Sequence, residues 1–178
     1  MALTAGRTAT CTLQRGGVVR MALADRADVA SVTVTSGAVT AITMEATKVF
    51  YEFSFQAETL RFTENGSLEN LSALFEQRIA GTWQGWSSTD RQRLMDLYNS
   101  SQCGMVCIAE LENGELIIFG INVDKPTVED KYVVRMESSA FDSGAAFNDP
   151  IKNDLVLLAR SSSAAAKFMT DWDDVPLT

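Results

Sequence analysis

The chain has 178 residues, of which 46% are hydrophobic and 21% charged, and this composition predicts a globular protein with a sizeable core. Its 15 basic and 23 acidic residues give a net charge of −8, so we do not expect it to bind nucleic acid by neutralising phosphates. It contains no histidine, the commonest general base and metal ligand, which favours a protein that is not an enzyme and needs no metal or cofactor.

The sequence also argues against a membrane or secreted protein. No run approaches the roughly 18 apolar residues of a membrane span, and residues 1–17 lack the apolar stretch of a signal peptide. The three cysteines, an odd number, do not form a disulfide framework and fit a reducing cytoplasm. The spacing of Cys103 and Cys107 is neither that of a redox pair nor that of a zinc site, so we expect two buried thiols.

The first part of the chain predicts short β-strands. Residues 8–14 predict a short strand, and residues 18–23, which alternate only weakly, predict a second. Residues 25–28 predict a turn or a single helical turn. The β-branched residues 31–35 and the strand at 38–44 flank a Ser-Gly pair, and together they predict a hairpin.

Residues 48–62 predict one long strand around which the chain is organised. Aromatic and apolar side chains occupy its odd positions as far as residue 57, after which Leu60 and Phe62 continue the even side. Either a one-residue bulge restores the register, or the two apolar faces of this end contact another subunit. A strand of this length spans roughly 50 Å. Because it overshoots one core, we expect Phe50, Glu52, Leu60 and Phe62 at a subunit interface.

The next segment is ambiguous. An Asn-Gly pair at 65–66 predicts a tight turn. Leucines at helical spacing then compete with a strand pattern, and we favour a loop followed by a strand over residues 75–83. The five residues expected on one face of that strand are Phe75, Gln77, Ile79, Gly81 and Trp83. This strand would complete a long β-hairpin with residues 48–62.

The second half predicts one helix and four more strands. Residues 90–100 follow cap-forming hydroxyls and carry an apolar stripe. Two apolar runs flank Asn113-Gly114 and predict a hairpin covered on both faces. The remaining predicted strands are 132–136 and 154–160. Residues 170–178 predict an acidic tail with an exposed Trp172, either flexible or docked on a neighbour. The order of elements predicts a β-sandwich or barrel with one flanking helix.

Trp83 and Trp86 lie among glycines, which leaves two interpretations. Tryptophan is enriched where subunits meet, so we favour packing of these rings in the core or between subunits. For the same reason we expect Trp83, Trp86 and Trp172 at a subunit interface. The less favoured interpretation is a carbohydrate-binding platform on a monomeric β-sandwich. An enzyme of unknown type ranks last, because no carboxylate–histidine set or glycine-rich phosphate loop occurs.

The order of features over roughly residues 8–162 resembles the tail-tube type of tail protein from tailed phages and prophages, especially those of Bacteroides-like gut hosts. The features are Cys11, Gly16-Gly17, LADRADVASV (23–32), GAVTAITM (37–44), FYEFSF (50–55), FEQ (75–77), the helix, the Asn113-Gly114 hairpin, FDSGAAFNDP (141–150) and DLVLLAR (154–160).

We expect a β domain over residues 1–162 and a carboxy-terminal tail over 163–178, and the resemblance does not place this tail. The resemblance implies hexameric rings that stack into a tube around a DNA channel, with partners that are other copies and other tail or connector proteins. DNA would pass without specific binding, and an acidic wall would repel it. The location would be the virion tail, assembled in the host cytoplasm. Baseplate, tail-terminator and head–tail connector subunits remain alternatives.

Overall fold

The structure is a computed structural model that describes residues 16–56, 58–69, 72–84, 87–124, 132–145 and 148–177. The predicted strand at 8–14 lies outside these residues. The strands are β1 (Val18–Asp25), β2 (Val29–Thr35), β3 (Ala38–Met44), β4 (Tyr51–Phe53), β5 (Arg61–Glu69), β6 (Ser72–Gln84), β7 (Met105–Leu111), β8 (Leu116–Phe119), β9 (Arg135–Asp142), β10 (Lys152–Ser161) and β11 (Ala166–Phe168). The helix is α1 (Ser88–Cys103), and two 3₁₀ turns occupy Arg26–Asp28 and Trp172–Asp174.

The strands form two sheets, and the predicted mainly-β architecture with one helix is confirmed. One sheet has seven strands in the order β2-β3-β11-β8-β7-β1-β4, and the other has four in the order β5-β6-β10-β9. Within the described parts of the chain neither sheet closes into a barrel. The structure therefore favours the sandwich of the two predicted architectures.

Two hydrophobic clusters cover the two faces of the seven-stranded sheet. The cluster between the sheets includes Met21, Cys107 and Phe119 from the larger sheet and Ile79 and Leu157 from the smaller one. Because β7 contributes to both clusters, its residues from Met105 to Ala109 are all buried, as the sequence predicted for a strand covered on both faces. Cys107 is buried as expected, but Cys103 at the end of the helix is exposed, so the expectation of a buried thiol is wrong there. The second cluster contains Phe50, Val39, Ile108, Phe168 and Trp172.

The predicted single strand over residues 48–62 is wrong. The chain forms the three-residue β4, turns with Glu58 at a φ of 62°, and joins the other sheet as β5. The Thr59 hydroxyl donates to the Gln56 carbonyl at 2.8 Å and fixes this turn. The change of apolar side at Leu60 marks the point where the strand moves between sheets.

The predicted long hairpin exists, but its position differs. β5 and β6 pair from Arg61↔Ala80 to Glu69↔Ser72. The Asn-Gly pair lies inside β5, opposite Glu76 and Phe75, so the predicted turn at 65–66 and the loop after it are wrong. The predicted inward face of β6 is confirmed, since Gln77, Ile79 and Gly81 are buried and the residues between them are half-buried.

The helix begins at a capping box, as its sequence predicted. The Ser87 hydroxyl accepts from the Asp90 amide at 3.1 Å, and the Asp90 carboxylate accepts from the Ser87 amide at 3.0 Å. Leu97 is buried against the cluster between the sheets, but Tyr98 of the predicted stripe is exposed. No helix in the described ranges is long and apolar enough to cross a membrane.

The described residues of the carboxy-terminal segment, 163–177, do not form an exposed tail as predicted. β11 lies inside the larger sheet, parallel to β3 and antiparallel to β8. Trp172 is 5% exposed, and the Phe50 amide donates to the Pro176 carbonyl at 2.8 Å. The expectation of an exposed Trp172 is therefore wrong, because this segment covers the second hydrophobic cluster. The predicted strand at 132–136 is also displaced, since β9 begins at Arg135 and continues to Asp142.

Candidate subunit interface

Of the seven residues expected at a subunit interface, the six that the structure describes do not form one surface. Phe50, Leu60 and Trp172 are 0%, 6% and 5% exposed, so this chain already covers them. Phe62 is half-buried and its ring centroid lies 5.2 Å from that of Phe119 in the core. Glu52 is exposed. Trp86 lies outside the described residues, and Trp83 is considered next.

Trp83 belongs to an aromatic cluster near the end of β6. Its ring stacks on Phe53 with centroids 6.2 Å apart and planes 11° apart, and it meets Phe55 at 5.7 Å. These contacts join β4 and the turn after it to the four-stranded sheet. One face of the indole is therefore occupied by packing, which argues against a flat sugar-binding platform at this residue.

The tip of the β5–β6 hairpin extends past the rest of its sheet. β10 pairs with β6 only as far as Phe75, opposite Ser161. Residues 67–69 and 72–74, which we name the arm, therefore pair only with each other among the described strands. Leu68 on the arm is 80% exposed. Such an exposed leucine on a projecting two-stranded ribbon is a candidate contact for another chain.

The base of the arm is fixed to the body of the protein. The Glu64 carboxylate accepts from the Gln77 side-chain amide at 3.1 Å and from the Ala165 backbone amide at 2.6 Å. The same Gln77 amide donates to the Ser163 carbonyl at 3.1 Å. These bonds tie the hairpin to the segment that leads into β11, so the direction of the arm is set by both sheets.

From Glu137 onward, β9 at the opposite edge of the same sheet is exposed on both of its faces. A sheet strand that packs on its own core alternates between buried and exposed residues. In β9 every residue from Glu137 to Asp142 is exposed, including Phe141 at 50%. The four-stranded sheet thus reaches past its own core at β9 and at the arm. Sequence reasoning missed Leu68 and Phe141, and the signal available was an apolar residue within an otherwise small and polar strand.

The outward face of this sheet carries paired charges in nearly equal number. Arg78 donates to Glu137 at 2.7 Å and Arg160 to Glu76 at 2.9 Å. The strand register and the described side chains place five cations and four acids on the face: Arg61, Arg78, Arg135, Lys152 and Arg160 with Glu76, Glu137, Asp142 and Asp154. In a protein of net charge −8, this face is therefore close to neutral.

A groove of 740 Å³ lies between α1 and β4, and β4 is an edge strand of the seven-stranded sheet. Its floor contains Leu97 and Met105, and Tyr51 stands in it 54% exposed. Its volume is within the range of about 300–1,000 Å³ that is usual for binding sites. The described residues hold no cluster of three or more acidic, cysteine or histidine side chains that could bind a metal ion.

Comparisons with protein-family models, with curated protein sequences and with solved structures find no match. The functional argument therefore rests on the geometry of the sheet edges, the arm and the groove.

Proposed function

We propose that this protein is a structural subunit, not an enzyme, and that it forms hexameric rings which stack as the tail tube of a phage or prophage. The ring contact joins the arm and β5 of one copy to β9 of the next. The observation that carries this proposal is that the four-stranded sheet extends beyond its own core at both edges.

The sheet geometry suits closure of a ring. The four strands β5, β6, β10 and β9 alternate in direction, so β5 and β9 run opposite ways. When copies are related by rotation about an axis along the strands, β9 of one copy meets β5 of the next as an antiparallel pair. The contact is head-to-tail, and such contacts form closed rings when the rotation closes. Pairing also removes both free edges of the sheet.

The relative sizes of the two sheets favour one of them as the inner layer of a ring. The seven-stranded sheet and α1 need more room than the four-stranded sheet, so the smaller sheet faces the centre of a ring. Six copies would supply 24 strands, and at about 4.8 Å per strand these give a circumference of roughly 115 Å and a diameter of about 37 Å. Strand tilt increases this diameter. Such a channel accommodates double-stranded DNA.

The charges on the inner face support passage of DNA without specific binding. We expected an acidic wall from the net charge, but the outward face of the small sheet is nearly neutral. Its arginines at positions 78 and 160 are engaged with glutamates, which leaves few free cations to release counterions from phosphate. The surplus acid of the chain lies on other surfaces, where it keeps assembled tubes apart.

The alternative roles in a baseplate, a tail terminator or a head–tail connector use the same ring contact and differ in what binds the ring ends. In each case the partners are other copies and other tail proteins, and the location is the virion tail.

Negative-stain electron microscopy and native mass spectrometry of the full chain test the proposal. We expect closed rings with the mass of six copies, and stacks of rings at higher protein concentration. A protein that stays monomeric up to millimolar concentration would rule out the ring, and rings too narrow for DNA would rule out the tube.

A further inference from the structure

We infer that the groove between β4 and α1 binds an extended, arginine-bearing segment of a partner protein, which adds as a strand to the free edge of β4. The described residues of the groove provide an open strand edge, an acidic lining and an exposed aromatic ring, and each of these features fits that occupant. This site is separate from the proposed ring contact, because that contact uses β5, the arm and β9.

The groove runs along the free edge of β4. β4 pairs with β1 on one side over residues 51–53, and no described strand pairs with its other side. Residues 51–54 all line the groove. Successive side chains of a strand point to opposite faces, so a groove that touches four residues in a row follows the edge of the strand and not one face. Edge strands present unpaired amide and carbonyl groups, to which an extended peptide can add.

The lining of the groove is acidic. Four acids and one base give it a net charge of −3: Asp25, Glu52, Asp90, Asp96 and Arg93. Of these acids, Asp25, Glu52 and Asp96 form no ion pair with a described residue. Hydrogen bonds from Ser87 hold the pKa of Asp90 below its usual range, so this carboxylate is ionised near neutral pH. A cationic segment therefore meets carboxylates that the described part of this chain leaves without a counter-charge.

An exposed tyrosine favours arginine over lysine as the cation. Tyr51 lines the groove and is 54% exposed. It pairs with Leu23, whose side chain lies in the cluster between the sheets, so Tyr51 projects from the same face of the sheet. Leu97 of α1 belongs to that cluster as well, which places the helix on this side. A guanidinium is planar, so it can stack on a ring and bind a carboxylate through two hydrogen bonds, whereas an ammonium is a compact point charge.

These features define the pattern of the bound segment. Alternate side chains of an added strand point to the same side, so arginine at every second position places each guanidinium on the side of Tyr51 and α1. The residues between the arginines need only favour an extended chain, as valine does. A hexapeptide in which arginine and valine alternate has this pattern and serves as the probe.

Fluorescence anisotropy of the labelled probe measures its binding to the full chain. We expect saturable binding that weakens as the salt concentration rises, because opposite charges attract across the contact. A peptide with glutamate in place of arginine should not bind, and one with lysine should bind about threefold more weakly or less tightly still. Absence of saturable binding by the arginine probe, or equal affinity for the lysine peptide, would overturn the inference.

Paired substitutions separate the groove from the overall charge of the protein. Glu52→Gln with Asp96→Asn should weaken probe binding about tenfold, and both positions are exposed, so the fold is retained. Glu112→Gln with Asp173→Asn removes the same charge from exposed positions outside the groove and should change the affinity less than about twofold. Circular dichroism checks the fold of both variants. Equal losses of affinity would show that the probe responds to net charge alone, which contradicts a site in the groove.

Methylation of the backbone of the probe tests strand addition without any change to the protein. The amides of alternate residues point to the same edge of an extended peptide. One probe is N-methylated at its valines and another at its arginines, and both keep every charge. We expect one of the two to lose affinity about tenfold or more, because its methyl groups face β4. If both bind as tightly as the unmodified probe, the segment does not add to the strand edge.

Sedimentation velocity with the labelled probe distinguishes a partner segment from a second copy. We expect the probe to bind assembled rings and single copies equally well, because β4 and α1 lie outside the ring contact. A probe that binds only dissociated copies would show that an adjacent copy fills the groove. That result overturns the assignment of a partner segment and leaves the ring proposal intact.

Discussion

The guanidinium carbon of Arg20 lies 4.6 Å from the centroid of the Trp172 ring, which joins the middle of β1 to the last turn of the chain. Arg20 is held in place by an ion pair with Glu110 on β7. A cation over an indole face is favourable, although here most of the stabilisation comes from burial of the ring. The carboxy-terminal segment is therefore part of the fold of the single chain.

Trp172→Ala should destabilise the isolated subunit by about 3–5 kcal/mol, because it opens a cavity in the second hydrophobic cluster. Urea unfolding of dilute protein, followed by circular dichroism, measures this loss. Trp172→Phe is the matched control and should cost clearly less, because it keeps most of the buried area. If Trp172→Ala unfolds at the same urea concentration as the wild type, the segment is not part of the core.

Gly81→Ala should also destabilise the isolated subunit, by about 1–3 kcal/mol. A Cβ at this position would lie 2.5 Å from a ring atom of Phe55 and 2.9 Å from a side-chain atom of Leu60. Gly114→Ala is the control for backbone strain, because position 114 has open space around it and a φ of 80°. Any loss of stability there comes from the turn conformation and not from overpacking. If Gly81→Ala leaves the free energy of unfolding unchanged, Leu60 is free to leave the core and contact a neighbour.

Leu68→Asp and Phe141→Asp should each leave folding within about 0.5 kcal/mol of the wild type and prevent ring formation. Both side chains are exposed, one on the arm and one on β9, so a charge there costs little in the monomer and is desolvated in the contact. Sedimentation velocity measures assembly. Met169→Asp, at an apolar site 56% exposed on another surface, is the control and should assemble normally.

A mixture of the two interface variants tests whether the contact is head-to-tail. The Leu68→Asp variant keeps a normal β9, and the Phe141→Asp variant keeps a normal arm, so one good contact can form between them. We expect heterodimers and nothing larger, because both remaining edges carry a substitution. Restored rings, or no association at all, would contradict pairing of the arm with β9.

The helix cap predicts a dependence of stability on pH. Hydrogen bonds that the Ser87 hydroxyl and amide donate to the Asp90 carboxylate lower the pKa of Asp90 in the folded protein. A lowered folded pKa means that the carboxylate favours the folded state at every pH above its ordinary value of about 3.9. This contribution is lost as pH falls through the lower folded pKa.

Comparison of the wild type with Asp90→Ala over an acid titration measures this effect. The difference in unfolding free energy should be constant near neutral pH and disappear at strongly acidic pH. Ser87→Ala should cost about 1 kcal/mol near neutral pH through loss of the cap. A difference that stays the same at acidic pH would show that the Asp90 carboxylate does not support the cap.

Much of the fold could be predicted because its signals are local. The hairpin of β7 and β8 follows from two apolar runs around Asn113-Gly114, and Gly114 adopts the positive φ of 80° that such turns need. The helix start follows from Ser87 and Asp90, three residues apart. The inward face of β6 follows from strict alternation. Each of these features depends on a few neighbouring residues.

The rest depends on contacts that the sequence order does not reveal. The change of apolar side at Leu60 indicates a discontinuity, but only tertiary structure decides between a bulge and a crossing to another sheet. Trp172 in an acidic segment gives no local sign that β11 enters the larger sheet between β3 and β8. The interface candidates failed for the same reason: large apolar residues such as Phe50 were buried within the chain, while the exposed edges carry small and polar residues.

The pairing of β9 with β5 of the next copy can be measured most directly by high-resolution cryo-electron microscopy of assembled protein. We expect a closed ring of six copies in which β9 and β5 of adjacent copies form an antiparallel ladder and the small sheets face the channel. Rings in which these two strands remain unpaired, or in which the seven-stranded sheet lines the channel, would contradict the account.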